Sequence, residues 1–233
     1  MSAAAPVIAM TALQAVQGVQ QQRASARQAA QQGDYLQQEA AQARAAAERN
    51  AELVRRQREM EKARERRVPV VLIDRLVRGF KADAVIVDNA GAGAKAAKEL
   101  AEHGHRRIGL ITGLSEIYTM RERTKGFLSQ LALSGVPHDG ALTREIEFNV
   151  DGGYHSTLSL MRLPEPPTAV FAASDFIAIG AMAAIREAGL NVPDDISLMG
   201  FDDIEFTNYT SPPLTTVRVP SWDIGHLAVN LLK

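Results

Sequence analysis

Residues 168–203 read T-A-V-F-A-A-S-D-F-I-A-I-G-A-M-A-A-I-R-E-A-G-L-N-V-P-D-D-I-S-L-M-G-F-D-D, and their patterning decides the fold class. Val170, Phe171 and Ala172 form a short apolar run of strand length. Ser174 and Asp175 are both able to cap a helix that starts beside them. Ile177, Met182 and Ile185 supply apolar surface to that helix, which Gly189 closes. Ile196 to Phe201 is a second buried-type strand. The product is a β-α-β unit with acids, Asp175 and Asp202, at the carboxyl ends of its two strands. In a doubly wound sheet those ends border the ligand crevice.

The same alternation extends outward. Strands are predicted near 108–113, 145–149, 169–173 and 196–201, with three intervening helices long enough for right-handed parallel crossovers. These make one complete α/β lobe. Upstream, Val68–Ile73 and Ala84–Val87 read as two further strands, and a helix follows from Ala90 to His103. Downstream, Leu214–Val219 reads as a strand and Trp222–Leu232 as a last helix. The outer strands and the last helix are assigned to a second, partial N-terminal lobe, with the chain crossing between lobes near 88–90 and 202–214. The G-A-G-A-K run at 91–95 lacks the spacing of a phosphate-binding loop, and close helix packing is the better reading of its glycines. His103 and His105 fall in a polar turn with no third metal ligand placed nearby.

Residues 1–67 are another kind of sequence, dominated by Ala, Gln, Arg and Glu, with high helix propensity. Gly33-Asp34 is the natural interruption between two helices. Leu36, Ala40, Ala43, Ala47 and Val54 lie near a heptad seam, a thin basis for a coiled coil. The segment is read as a helical extension, either solvated or an oligomerisation arm. Its basic run, Arg55 to Arg67, alternates with Glu59, Glu61 and Glu65, which weakens a nucleic-acid reading. The abrupt change of character at Val68, with no glycine-rich linker, suggests a fusion or a misplaced start.

Composition narrows the function. A formal net charge of −1 gives no bulk-charge argument for nucleic-acid binding. The absence of cysteine excludes disulfides, thiol nucleophiles and cysteine metal sites. No run approaches the ~20 apolar residues of a membrane span, and Ala3–Met10 lacks the basic flank of an export signal. The cytoplasm is the expected compartment. Without a nucleophile elbow, a recognisable carboxylate pair or a metal cluster, the chain is not read as an enzyme, and no cofactor is implied.

Six motifs occur in one order: V-P-V-V-L-I-D-R (68–75), V-D-N-A-G-A-G-A (87–94) with G-H-R-R-I-G-L-I-T-G (104–113), R-T-K-G-F (123–127), F-A-A-S-D (171–175), D-I-S-L-M-G-F-D-D (195–203) and S-P-P-L-T-T-V (211–217). As a set, over about residues 68–233, they resemble the effector-binding core of the lactose-repressor family of bacterial transcription regulators, itself similar to type 1 periplasmic sugar-binding proteins. The resemblance implies two α/β lobes clasping a small effector, usually a sugar or nucleobase-like molecule, and a homodimer. It implies effector contacts from Arg123 and Asp175, from the region of Phe148 and Asn149, and from Asp202 at the crossover. The residues leave plainer readings open: Arg123 as a surface helix residue, Asp175 as a helix cap, Phe148 as core, Asn149 as a turn former and Trp222 as packing. The family's helix-turn-helix, the first half of its N-terminal lobe and the strands after its last helix have no counterpart here, so direct DNA binding is not expected. The competing readings are a structural protein working through its helical extension and a transport-type sugar-binding protein.

Overall fold

The computed structural model describes residues 51, 54–55, 58–63, 65–66, 68–77 and 79–233. The chain divides into two compact units, Met1–Val68 and Pro69–Lys233. In the first, the described residues from 51 to 65 are helical; the expected heptad seam from Leu36 to Ala47 lies outside the described residues, and nothing supports a coiled coil.

The second unit contains two parallel sheets. Strands β1 (Val71–Ile73) and β2 (Asp83–Val85) pair with each other. The larger sheet contains β3 (Ile108–Gly113), β4 (Thr143–Ile146), β5 (Ala169–Ala172), β6 (Ser197–Asp202) and β7 (Thr215–Arg218) in the order β4-β3-β5-β6-β7, every neighbouring pair parallel. Its helices are α1 (Asn89–Glu102), α2 (Tyr118–Leu133), α3 (Val150–Met161) and α4 (Asp175–Glu187). A fifth helix, α5 (Ser221–Leu231), packs on β1 and β2.

Side chains alternate across a strand with a period of two, and here both phases are apolar. Leu110, Phe171 and Met199 face a core with Leu100, Phe127 and Leu131 of α1 and α2. Ile111, Val170, Ala172 and Leu198 face the opposite core, with Leu160, Ile177, Ala181 and Ile185 of α3 and α4. All six residues of β3 and all four of β5 are buried. Covered faces on both sides are the reason these strands read as continuous apolar runs. Phe127 stacks on Phe171 with ring centroids 4.6 Å apart. Helices α1 and α2 approach so closely that a Cβ on Gly93 would overlap the carbonyl oxygen of Arg123, so the G-A-G-A-K run serves helix packing.

Two expectations are corrected. The strand at 214–219 does not belong to the small sheet: β7 pairs with β6 from Met199↔Thr215 to Asp202↔Arg218. The return crossing therefore follows Arg218 rather than falling within 202–214, and α5 is the part that rejoins β1 and β2. The strand expected at 145–149 ends at Ile146, because Asn149 caps α3 and pulls the chain out of the sheet.

His105 settles at the amino-terminal edge of the larger sheet. Its Nδ1 lies 3.0 Å from Thr168 Oγ1 and its Nε2 3.0 Å from Ser197 Oγ, tying the starts of β5 and β6 together. Burial holds its pKa below the ordinary histidine value. Among the described residues no group of three His, Cys, Asp or Glu side chains could hold a metal, and no helix is long and apolar enough to cross a membrane.

Candidate functional site

The sheet order reverses between β3 and β5, so the carboxyl ends of those strands open a natural crevice. Arg123, on the second turn of α2, sits there. It is only 4% exposed. Its Nε donates to Asn89 Oδ1 at 2.8 Å and its Nη1 to the carbonyl oxygen of Ala173 at 2.8 Å. Nη1 also lies 3.1 Å from Asp202 Oδ1, and the guanidinium stacks 3.7 Å over the ring of Phe201. A cation over a desolvated ring gains up to about 2 kcal/mol. Nη2 has Asp74 Oδ2 at 3.9 Å, beyond hydrogen-bond distance, and keeps its N–H groups for another partner. Arg123 is thus a buried, oriented cation and not a surface residue.

Asp202 ends β6 with its backbone at φ 118°, and Asp203 comes next at φ 58°. Such values are uncommon outside glycine and turn the chain sharply at the crevice. Burial pushes the Asp202 carboxyl up to about 6, although Arg123 beside it pulls the other way. Asp202 is therefore an acceptor at neutral pH that protonates under mild acid.

Asp175 is fully buried. Ser174, not Asp175, caps α4: its hydroxyl accepts from Phe176 N at 3.2 Å. Asp175 instead accepts from Thr216 Oγ1 at 2.6 Å and from Ile204 N at 2.9 Å. A Cβ on Gly200 would overlap Asp175 Oδ1, so the glycine makes the space its carboxylate occupies. Desolvation raises the Asp175 pKa against these hydrogen bonds. Its role in this geometry is to brace the turn after β6 against β7.

Phe148 and Asn149 lie on the loop after β4. Phe148 is 41% exposed and meets Phe176, 43% exposed, edge to face at 6.1 Å. It is a surface aromatic rather than core. Asn149 caps α3, with its Oδ1 accepting from Gly152 N at 2.6 Å. The structure thus brings Arg123 and Asp202 into contact, sets Phe148 and Asn149 on an adjoining loop, and turns Asp175 inward.

Asp74, Asn89 and Phe176 were not among the residues singled out in the sequence. Asp74 follows β1 at φ 44°. Asn89 opens α1, is 2% exposed, and donates from Nδ2 to Asp74 Oδ1 at 2.8 Å while accepting from Arg123. Their signal was positional, since each comes just after a strand or crossing at the carboxyl edge.

Two parallel-sheet lobes joined by two crossings, with an oriented arginine at the switch point, define a class of proteins that bind a small ligand beside the crossings. Comparison with known proteins agrees. The model of the periplasmic binding protein-like domain matches residues 97–233. The chain is 38% identical over 165 residues to the ribose operon repressor of Haemophilus influenzae, covering 71% of this chain and 50% of that protein. A crystal structure of a LacI-family regulatory protein from Chloroflexus aggregans superposes with a TM-score of 0.69 at 30% identity, covering 74% of this chain and 62% of that one. A LacI-family transcriptional regulator from Enterococcus faecium, solved with bound ribose, gives a TM-score of 0.68 at 31% identity, with 74% and 64% covered. The chain belongs to the periplasmic-binding-protein-like family and carries a LacI-type effector-binding domain with a complete C-terminal lobe and a partial N-terminal one. It spans about half the length of the curated relatives it matches. These relatives are repressors by name, one of them of a ribose operon.

Proposed function

We propose that this chain is the small-molecule-sensing core of a transcription-regulator-like protein, and that its effector is a sugar. The observation that carries the reading is Arg123: a buried guanidinium, fixed on Nε and Nη1 and left with donor capacity on Nη2, at the switch point of a parallel sheet. A planar donor fork beside the Asp202 acceptor suits adjacent hydroxyls, which both donate and accept. Phe148 and Phe176 offer apolar ring surface to the face of a sugar. In this reading Arg123, Asp202 and Phe148 touch the effector. Asn149 and Asp175 shape the loops that carry those contacts. The names of similar proteins, a ribose operon repressor and a regulator with bound ribose, favour a pentose as the first candidate. We place the protein in the cytoplasm and expect a homodimer, and assign no direct DNA contact to this chain.

The test is a thermal-shift screen over pentoses, hexoses and nucleobases, repeated with Arg123→Ala and Phe148→Ala. A ligand at about 100 times its Kd stabilises by about 2.7 kcal/mol. One sugar should raise the melting temperature, and both substitutions should abolish the shift. A flat screen on a cooperatively folding protein rejects the reading.

A further inference from the structure

The guanidinium of Arg123 is held at one end by a chain of groups that begins in the other lobe. Asp74 stands at the carboxyl end of β1. Its backbone N–H donates to Val85 O at 2.8 Å, and its Oδ1 accepts from Val87 N at 3.3 Å and from Asn89 Nδ2 at 2.8 Å. The crossing from β2 to α1 is therefore wrapped around one carboxylate. Asn89 passes the connection on. Its Nδ2 faces two acceptors, Asp74 Oδ1 and Val87 O at 3.3 Å, and its Oδ1 faces a donor, Arg123 Nε. That partner set fixes the carboxamide in one orientation, since the reverse would set oxygen against oxygen and N–H against N–H. The chain then continues through Arg123 to Ala173 O and Asp202 at the ends of β5 and β6. The two acids paired with the guanidinium, Asp74 and Asp202, hold positive φ, a conformation that persists where surrounding contacts over-determine it.

We propose that Asp74 and Asn89 are a positioning pair that latches the two-stranded lobe to Arg123, so that the angle between the lobes and the aim of the effector-facing guanidinium change together. Arg123 presents Nη2 to an effector while Nε is gripped by Asn89. A swing of β1 displaces Asp74, releases Asn89 and frees the guanidinium to rotate about its remaining bonds. Coupling of this kind is reciprocal: whatever fixes Nη2 from the ligand side also restrains the small lobe. The latch itself rests on contacts within the chain; only its consequence for affinity rests on the effector reading above.

The chain has no cysteine, so two introduced cysteines report alone. Spin labels at His155→Cys on α3 and Trp222→Cys on α5 occupy exposed positions in the two lobes, and pulsed dipolar spectroscopy reads the distance between them. The parent should give one narrow distribution. Asp74→Ala and Asn89→Ala should broaden it by several ångströms, as should Arg123→Lys, which keeps the charge and loses the Nε donor. Asn89→Asp alone sets carboxylate against carboxylate and should broaden it as well. Asp74→Asn is the conservative control: its side-chain carbonyl oxygen still accepts from Val87 N and from Asn89 Nδ2. It should keep the distribution narrow where Asp74→Ala broadens it, which a loss of packing at position 74 alone would not distinguish so sharply. Circular dichroism melts of each variant keep loss of folding separate from loss of the latch. A distribution that ignores Asp74→Ala in a folded protein overturns the proposal, and so does Asp74→Asn as broad as Asp74→Ala. With D-ribose as probe, affinity should fall about tenfold in Asp74→Ala, within the range for coupled sites, and be kept in Asp74→Asn. Ribose without effect on any variant, beside distances that respond, rejects the pentose reading and leaves the latch standing. Ribose that binds parent and Asp74→Ala alike, with unchanged distances, rejects the latch and leaves the effector reading standing.

Discussion

The two sheets of the second unit are built from similar local signals and end in different states. In β3 every residue is buried; in β1 one residue of three is, and Ile73 is 49% exposed. The larger sheet has helices on both faces, and the smaller has α5, which buries Ile224 and Ala228 while Leu227, Val229 and Leu231 stay about half exposed. The lesson concerns closure rather than propensity. A parallel strand is stable when both faces are covered, and two strands with one helix do not achieve that alone. The sharpest way to break this comparison is to make the same kind of deletion in each sheet. Phe171→Ala removes a ring stacked on Phe127 and packed near Phe201, and should cost about 3–5 kcal/mol. Leu72→Ala in β1 should cost about 2 kcal/mol or less, because its surroundings are open enough to collapse. Chemical denaturation monitored by circular dichroism checks both. Equal costs would mean that the small sheet is packed as tightly as the large one.

The next effect belongs to the junction between the two regions. Arg123→Ala leaves Asp202 buried without its cation and strips Asn89 of its donor. Breaking a buried pair from one side costs about 3–5 kcal/mol, at or just below the cost of the aromatic core deletion. Arg123→Met, which refills the volume but not the charge, should recover less than half of that. Hydrogen exchange gives the regional readout: in the arginine variants the amides of β1 and β2 should lose protection before those of β3 and β5.

Asp202 supplies a pH signature of about 3 kcal/mol at most. Its pKa rises from 3.8 to about 6 on folding. The native state therefore holds a proton that the unfolded chain has released, and this contribution is present in full below pH 3.8 and lost as pH rises through 6. Stability should fall between about pH 4 and 6, and Asp202→Asn should flatten that slope. Asp175, also raised by burial, acts in the same direction. Effector affinity should move the other way, since the acceptor form of Asp202 grows as pH rises. Melts and ligand titrations across that range measure both.

How much of this was legible in the sequence depends on the range of each interaction. The strands β3, β5 and β6 announce themselves because both of their faces are apolar within a few consecutive residues. The placement of β7 was not legible: T-T-V-R is polar at three of its four positions and carries no face preference, and its pairing with Met199–Asp202 is decided across a long loop. Arg123 and Asp202 could be found from the motifs around them and from their position near strand ends. The Asp74–Asn89–Arg123 chain could not, since its two links span 15 and 34 residues and no local pattern encodes them. Asp175 is readable as a cap for a local reason: Ser174 and Asp175 are both good capping residues, and only the chain's return past Thr216 and Ile204 decides between them.

The smallest effect tests the exposed side of the small lobe. Trp222 is the only tryptophan in the chain and is 84% exposed on α5, where it was expected to be packing or lobe surface. Trp222→Ala should change stability by no more than about 0.5 kcal/mol. Ile224→Ala, two residues on but 7% exposed, should cost about 2 kcal/mol. Trp222 also makes a selective reporter, because its fluorescence reads the small lobe while circular dichroism is dominated by the large one. In denaturant, the fluorescence transition should precede the circular dichroism transition if the lobe is held on mainly by the Arg123 junction and the narrow seam of α5. Coincident transitions, together with a large cost for Trp222→Ala, would show that the indole is covered in solution and that the two lobes unfold as one cooperative unit.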